Sequence, residues 1–428
     1  MLPEPKTLIC AALPTAGGRV TLGILLSVFA INFMDRQIFA ILVEPIKHDL
    51  SLSDTEVGLL YGLAFAVLYT SAGIPIARLA DRMDRARIIN WSLVLFSAMT
   101  AACGLALGYW QLLAARIGVA LGEGGTNPPS HAMISDLYPI ARRSTAMAIF
   151  SLGPHIGILL AFLIGGWVAQ LWGWRWAFGV AGLGGLCVAA LSFKFLEEPK
   201  RSRIDGSTAT EQPTGRTVVR SFVHIPSLRH LCVGSAVVSI AVYAIVGWLP
   251  SFLIRSHGFS TGTTGTVLAL VLGVIGGFGT VLGGWLADRL GARNPIWRLQ
   301  TVGIVLAVVA LLWAMVFITK NPVTMLILLM LPGGLLGFHL GPTFAMVQSL
   351  IEPAMRATAA AVLLLVSNLV GLGLGPVSVG ALSDVLTPHF GADSLRLALL
   401  MVPPLCIWAA YHYHVAARTI GVDLARER

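Results

Sequence analysis

Charge is what this sequence has least of. Only 11% of its 428 residues are Asp, Glu, Lys or Arg, against about 25% in soluble globular proteins. With 56% hydrophobic residues and a mean hydropathy of +0.81, that scarcity excludes a soluble domain and points to a membrane protein. Cysteine is scarce too. Cys10, Cys103, Cys187, Cys232 and Cys406 stand singly with no CxxC spacing, so they read as small apolar packing residues, and neither a disulfide framework nor a metal site is supported. The chain has no Walker loop, HExxH or GxSxG, which leaves an ATP-driven pump and the common hydrolases without sequence support. Its apolar stretches show no period-2 alternation, so helices rather than a β-barrel must satisfy the backbone in lipid.

What is present is a series of apolar runs of about 20 residues, each long enough to cross a hydrocarbon core of about 30 Å as a helix. Twelve spans are expected. The first 19 residues carry Pro3, Pro5 and Pro14 and no continuous apolar core, so no cleavable signal peptide is expected and the first span serves as its own insertion signal. Lys and Arg crowd the loops on one side, including Arg78, Arg82, Arg85, Arg142, Arg143, Arg289 and Arg356. The positive-inside rule then predicts both termini in the cytoplasm, which for a bacterial-type cell means the inner membrane. A net charge of +9 is accounted for by those loops touching anionic lipid, and no nucleic-acid partner is expected.

The only long polar stretch, Glu197 to Arg220, falls between the sixth and seventh spans. The expected organisation is a cytoplasmic tail over 1–19, a six-helix bundle over 20–196, a linker over 197–228, a second six-helix bundle over 229–416 and a tail over 417–428. The halves echo each other: "ARLADRMDR" (77–85) closes the second span and "GWLADRLGAR" (284–293) closes the eighth. Parallel repeats of this kind place a substrate cavity between them near the midplane, the basis of alternating access.

The twelve-span layout, the two LADR loops, "GWRWAF" (173–178) and "FLEEP" (195–199) resemble the major facilitator superfamily. Within it, "NFMDR" (32–36), "RIGVALGEGGTNPPSHAMISDLY" (116–138) and "RRSTAMAIFSLGPHIG" (142–157) are similar to the spinster branch. That resemblance implies an all-α fold of two pseudo-symmetric bundles. It implies export of sphingolipids or lysophospholipids, commonly coupled to protons. No cofactor is expected, the proton gradient supplying the energy, and a monomer is expected. The first loop departs from the superfamily pattern by carrying Ala77 and Asp84 where the second copy keeps Gly284 and Gly291. Its inner gate is therefore expected to be wired differently.

Charges at membrane depth are the candidate site. Arg116 and Glu123 are seven residues apart, hence about 20° apart on one helical face. Asn127 continues roughly on that side one turn further along, and His131 lies beyond it. In a major facilitator fold the first and fourth spans line the cavity, so Asp35, Arg36, Arg116 and Glu123 are expected to converge there, their cost offset by water and by each other. Asp35 or Glu123 is the expected proton carrier, because desolvation raises a carboxylate's pKa and an approaching guanidinium lowers it. Arg116 is the expected counter-charge and, with Arg36, Asn127 and His131, a candidate for binding an anionic head group. A permanently ionised structural network is the alternative, and Arg36 fits either a site or a scaffold role.

Similarity to the superfamily loops implies gating by Asp81, Arg82, Arg85, Asp288 and Arg289; interfacial topogenic charges are the alternative. Gly153, Pro154 and Gly157 are expected to kink the fifth span and let another helix pack closely. The second half holds almost no deep charge, its polar candidates including Tyr243, Trp248, His339, Thr343 and Asn368. A cavity charged on one wall and apolar or aromatic on the other suits an amphipathic substrate. The functional expectation is a proton-coupled secondary transporter and not an enzyme. A facilitator or exchanger of small organic anions or sugars is the rival within transport, and an intramembrane lipid-modifying enzyme the rival outside it.

Overall fold

The computed structural model of the chain describes residues 16–198, 215–292, 294, 296–352 and 355–426. Every regular element in them is helical, as a backbone in hydrocarbon requires. The twelve spans are α1 (Ala16–Leu50), α2 (54–82), α3 (Arg85–Cys103), α4 (109–137), α5 (140–172), α6 (Trp174–Phe195), α7 (Pro226–His257), α8 (Thr261–Gly291), α9 (Ile296–Ile318), α10 (322–349), α11 (Arg356–Phe390) and α12 (394–426). Nine stretches among the described residues are long and apolar enough to cross a membrane by themselves, and one of these, Thr358–Leu424, takes in both α11 and α12. The two spans that fall short, α4 and α10, are each broken near the middle, after Glu123 and after Gly334.

The same irregularities thus recur in both halves. A π-helical turn interrupts α2 at Leu59–Leu63 and α8 at Ala269–Ile275. Within the first half α1 packs on α5 and α6, and α3 packs on α4 and α6; within the second, α7 packs on α11 and α12, and α9 packs on α12. Small residues permit these approaches. A Cβ on Gly157 would stand 2.4 Å from the Ala30 carbonyl oxygen, and one on Gly182 would stand 2.6 Å from the backbone of Ser97 and Ala101. In lipid, such close packing replaces the hydrophobic effect as the force between helices.

Much of the expected 1–19 tail and 197–228 linker lies outside the described residues. The described part of the linker contains a short amphipathic helix, Gly215–His224, whose Val218 and Phe222 are buried against the second half. Helix α12 continues past the expected boundary at 416 because its end is held. Asp423 is buried and its Oδ2 accepts from the backbone N–H and hydroxyl of Ser227 at 3.0 and 2.6 Å, capping the start of α7.

The halves meet through α2 against α11 and α5 against α8. The polar links that join Glu44, Asp54, Thr55, Trp167 and Gln170 of the first half to Arg255, Gly262, Thr266, Ser383 and Asp384 of the second lie toward the end of the bundle holding the 51–53, 258–260 and 391–393 turns. There Arg255 of α7 donates to Asp54 Oδ2 and Oδ1 at 2.8 and 2.7 Å and to Glu44 Oε1 at 2.8 Å. Lys47 also pairs with Asp54, and the Ser383 hydroxyl donates to it at 2.6 Å. Asp384 of α11 accepts the backbone N–H groups of Asp54 and Thr55 at 3.0 and 2.7 Å and the Thr55 hydroxyl at 2.6 Å. A carboxylate from one half therefore caps the first turn of a helix in the other, where the helix dipole favours it. Alongside, Trp167 Nε1 donates to the Thr266 hydroxyl at 3.0 Å, and the backbone N–H of Gly262 donates to Gln170 at 2.8 Å. The bundle is closed at this end, and the basic end has no comparable seal among the described residues.

Candidate functional site

Asp35 and Arg36 are neighbours on α1, so their side chains leave the helix about 100° apart. The structure sends them to different partners. Arg36 reaches α4, where its Nη2 and Nε donate to Glu123 Oε2 at 2.7 and 3.2 Å. Asp35 turns into the first half, where its Oδ2 accepts the Thr100 hydroxyl of α3 at 3.0 Å. Arg116 has no carboxylate within ion-pair distance among the described residues. Its guanidinium lies between two rings, 4.9 Å from the centroids of both Phe39 and Phe65. Phe65 serves twice, because Arg36 stands 5.2 Å from the same ring, 5.2 Å from Phe33 and 4.7 Å from Tyr69.

All four charged side chains are buried: Asp35 and Glu123 are 0% exposed, Arg116 1% and Arg36 4%. Two acids and two bases thus share one ion pair, with aromatic faces holding what carboxylates do not. Arg36 makes the direct ion pair with Glu123, and Arg116, expected as the counter-charge, acts on both carboxylates only through space. The residue spacing that puts Arg116 beside Glu123 holds only along an unbroken helix, and both do lie in the unbroken first part of α4.

Beyond Glu123 the helix breaks. Gly124–Thr126 form a tight turn, with Gly125 and Thr126 bonding back three residues instead of four. The expected stripe is therefore not continued in phase. Thr126 uses the turn to accept from Asn32 Nδ2 at 3.3 Å. Asn127 is half-buried at the start of the next helical segment. His131 is exposed and meets the Phe150 ring edge-on at 5.1 Å, in a different setting from the charged group.

Toward the second half, Arg36 comes within electrostatic reach of Tyr243 on α7. The Tyr243 hydroxyl donates to Asn368 of α11 at 2.8 Å. Other polar candidates of that half are used internally: Trp248 Nε1 donates to the Pro376 carbonyl at 2.8 Å, and Thr343 and Tyr413 hydroxyls lie 2.6 Å apart. His339 is buried, with Nδ1 unpartnered. Thr100, Asn32 and the shared ring of Phe65 are the neighbours that residue types alone did not single out. For Thr100 a signal existed, since Asn90, Ser97 and Thr100 form a buried polar stripe at helical spacing along α3.

At the basic end, Arg85 and Arg298 pair within their own halves. Arg85 Nη1 donates to Asp136 Oδ2 at 2.5 Å, and Arg298 lies 3.6 Å from Asp288. Arg289 stands 5.2 Å over the Trp285 ring. The side chains of Asp81 and Arg82 lie outside the described residues. Gly153 and Pro154 start the second segment of α5 after a break at Ser151 and Leu152, and Cβ atoms on Gly153 and Gly157 would run into Phe29 and Ala30 of α1 at 2.9 and 2.4 Å.

Residues 25–376 match the model of the family described as Major Facilitator Superfamily. An MFS-type efflux pump of Mycolicibacterium smegmatis is 34% identical over 95% of this chain and 94% of its own length. The sphingosine-1-phosphate transporter SPNS2 of Danio rerio is 26% identical over 90% of this chain and 81% of its own. Among solved structures, a bacterial homologue of the human lysosomal transporter Spinster, in an inward-facing and unoccupied conformation, superimposes with a TM-score of 0.87 at 28% identity, covering 96% of this chain and 98% of its own.

Proposed function

Because this chain belongs to the Major Facilitator Superfamily, as a spinster-like transporter, we propose that it couples proton movement to export of an amphipathic, lysolipid- or sphingolipid-like substrate by alternating access. The observation that carries this reading is the inventory at membrane depth: two carboxylates and two guanidiniums, all buried, with a single ion pair among them. Burying charge at such depth is costly and marks ion pathways. A carboxylate with one hydroxyl partner, as Asp35 has, can take up and release a proton without first breaking an ion pair. Glu123 is the second carrier, and its protonation would free Arg36 for an anionic head group.

Amphipathic cargo is supported by the contrast between the walls, since the second half meets Arg36 with Tyr243 and Asn368 but no carboxylate. The relatives named as an efflux pump and a sphingosine-1-phosphate transporter support export and a lipid-like substrate. The basic loops orient the chain with both termini in the cytoplasm of a bacterial-type inner membrane. The sealed end is then periplasmic and the state inward-facing. In this reading Asp81, Arg82, Arg85, Asp288 and Arg289 are the gate, the acids pairing across to the neighbouring half when the cytoplasmic end closes. The two bundles over 20–196 and 229–416 rock as a monomer, with no cofactor.

The test is proton movement in proteoliposomes, read with a pH-sensitive dye as lysophospholipid or glucose is added to wild type, Asp35→Asn and Glu123→Gln. Lysophospholipid-dependent proton flux that is lost in a variant is the expected result. Substrate flux with no proton movement in any of them would make the protein a facilitator and its carboxylates struts or gates.

A further inference from the structure

Six buried polar atoms around the charged group have no hydrogen-bond partner among the described residues: Asn32 Oδ1 and Asp35 Oδ1 of α1, Ser97 Oγ of α3, and Arg116 Nε, Arg116 Nη2 and Glu123 Oε1 of α4. Orphaned polar atoms in a protein interior are rare and costly, and ordered water is their usual partner. Other orphaned atoms occur elsewhere in the molecule, but these six are joined through their neighbours. Asp35 sits one helical turn from Asn32 and is bonded to Thr100, which is one turn from Ser97. Asn32 is bonded to Thr126, three residues beyond Glu123. Arg116, Asp35 and Glu123 interact electrostatically with one another. The orphans include both donors and acceptors, which water can bridge and a simple anion or cation cannot.

From this arrangement we infer that α1, α3 and α4 enclose an internal water site linking Asp35 Oδ1, Arg116 and Glu123 Oε1, through which the two carboxyls exchange a proton inside the first half. The inference rests on the proposed proton coupling for its purpose but not for its geometry. In the transfer the O–H bond of a protonated Asp35 breaks and its proton passes to a bridging water. That water gives one of its own protons to Glu123 Oε1, so Asp35 ends ionised, Glu123 neutral and the water unchanged. The charged and titratable groups facing Asp35 are Arg116 and Glu123 from α4 and Cys103 from α3, with Tyr61 of α2 facing Arg116. Once Glu123 is neutral its hold on Arg36 weakens, and a proton taken up deep in the first half is felt at the interface between halves.

Gly185 of α6 fits the same picture, because a Cβ there would stand 2.1 Å from Ser97 Oγ. The glycine leaves this hydroxyl room among the packed helices.

X-ray radiolytic footprinting of the wild-type protein in proteoliposomes tests the water site directly. Hydroxyl radicals born from internal water should modify Phe39, Phe65 and Cys103, which are 0%, 1% and 0% exposed, within the exposure that labels surface residues. Absence of that modification would overturn the site. A second arm measures substrate-driven proton release in Thr100→Val, Ser97→Ala and Thr100→Ser. The first two should slow it by about tenfold or more with a larger solvent deuterium isotope effect, and the serine variant should restore it; wild-type rates in both would overturn the exchange. If the wild type itself moves substrate without protons, the coupling fails while the footprint still decides the water.

Discussion

Asp384 and Thr55, in opposite halves of the molecule, are joined by two hydrogen bonds, the Thr55 backbone N–H and hydroxyl both donating to Asp384 Oδ2 at 2.7 and 2.6 Å. A helix cap supplied from another domain exists only while the domains touch, so its strength is a conformational free energy rather than a folding one. Replacing a capping carboxylate by alanine costs about 1 kcal/mol. Asp384→Ala is therefore expected to shift the equilibrium away from the present state by roughly fivefold. Maleimide labelling of a cysteine placed at Thr387, on the sealed face, measures it; unchanged labelling would remove the cap from the gate.

Arg255 carries more of the seal, because it alone bridges Glu44 and Asp54 across the halves. Truncation leaves the buried Asp54 with Lys47 as its remaining cation, and breaking a buried pair costs about 3–5 kcal/mol. Arg255→Ala is expected to lower the melting temperature by several degrees. Arg255→Ala combined with Asp54→Ala should recover part of the loss, because the buried carboxylate that lost one of its two cations is gone. A double variant no better than the single one would contradict this account.

Two glycines separate stability from state. Gly157 packs within the first half, whereas a Cβ on Gly265 would stand 2.2 Å from the Phe162 carbonyl oxygen across the interface. Overpacking costs about 1–3 kcal/mol. Gly157→Ala should lower the melting temperature without changing the labelling at position 387. Gly265→Ala should raise that labelling, because only the sealed state meets the clash.

Phe65 is the ring shared by both guanidiniums. Phe65→Leu keeps an apolar side chain, somewhat smaller, and removes the π face, worth about 1–2 kcal/mol per desolvated cation. The expected outcome is a folded, monodisperse protein with transport reduced by about tenfold and recovery in Phe65→Tyr. Proteoliposome flux is the measurement, and equal rates in all three proteins would make the ring simple packing.

The bundle is largely legible in the sequence. Hydropathy outlines the spans, and the paired LADR loops reveal the repeat before any coordinates do. The charged residues at depth are equally visible, since an unneeded arginine or glutamate is too costly to keep in a membrane span. Which charge meets which is not legible. That Arg36 takes Glu123 while Arg116 rests between Phe39 and Phe65 depends on how α1, α2 and α4 rotate against one another, and no local pattern encodes it. The turn at Gly124–Thr126 hides behind an apparently continuous helical stretch and takes His131 out of the expected phase. The seal is the least visible, because Asp54, Arg255 and Asp384 are far apart in the chain and each alone reads as an ordinary charge near a span end.

The π turns in α2 and α8 each add one residue to a helical turn. Side chains before and after such a turn are offset by about 100° from where a regular helix would put them. Helix α2 can consequently present Asp54 to the opposite half at one end while the helix beyond the π turn follows a different azimuth, and α8 repeats the device. Each of these two helices behaves as two wheels on one axle, set out of phase, so contact at one end of the bundle does not dictate contact at the other.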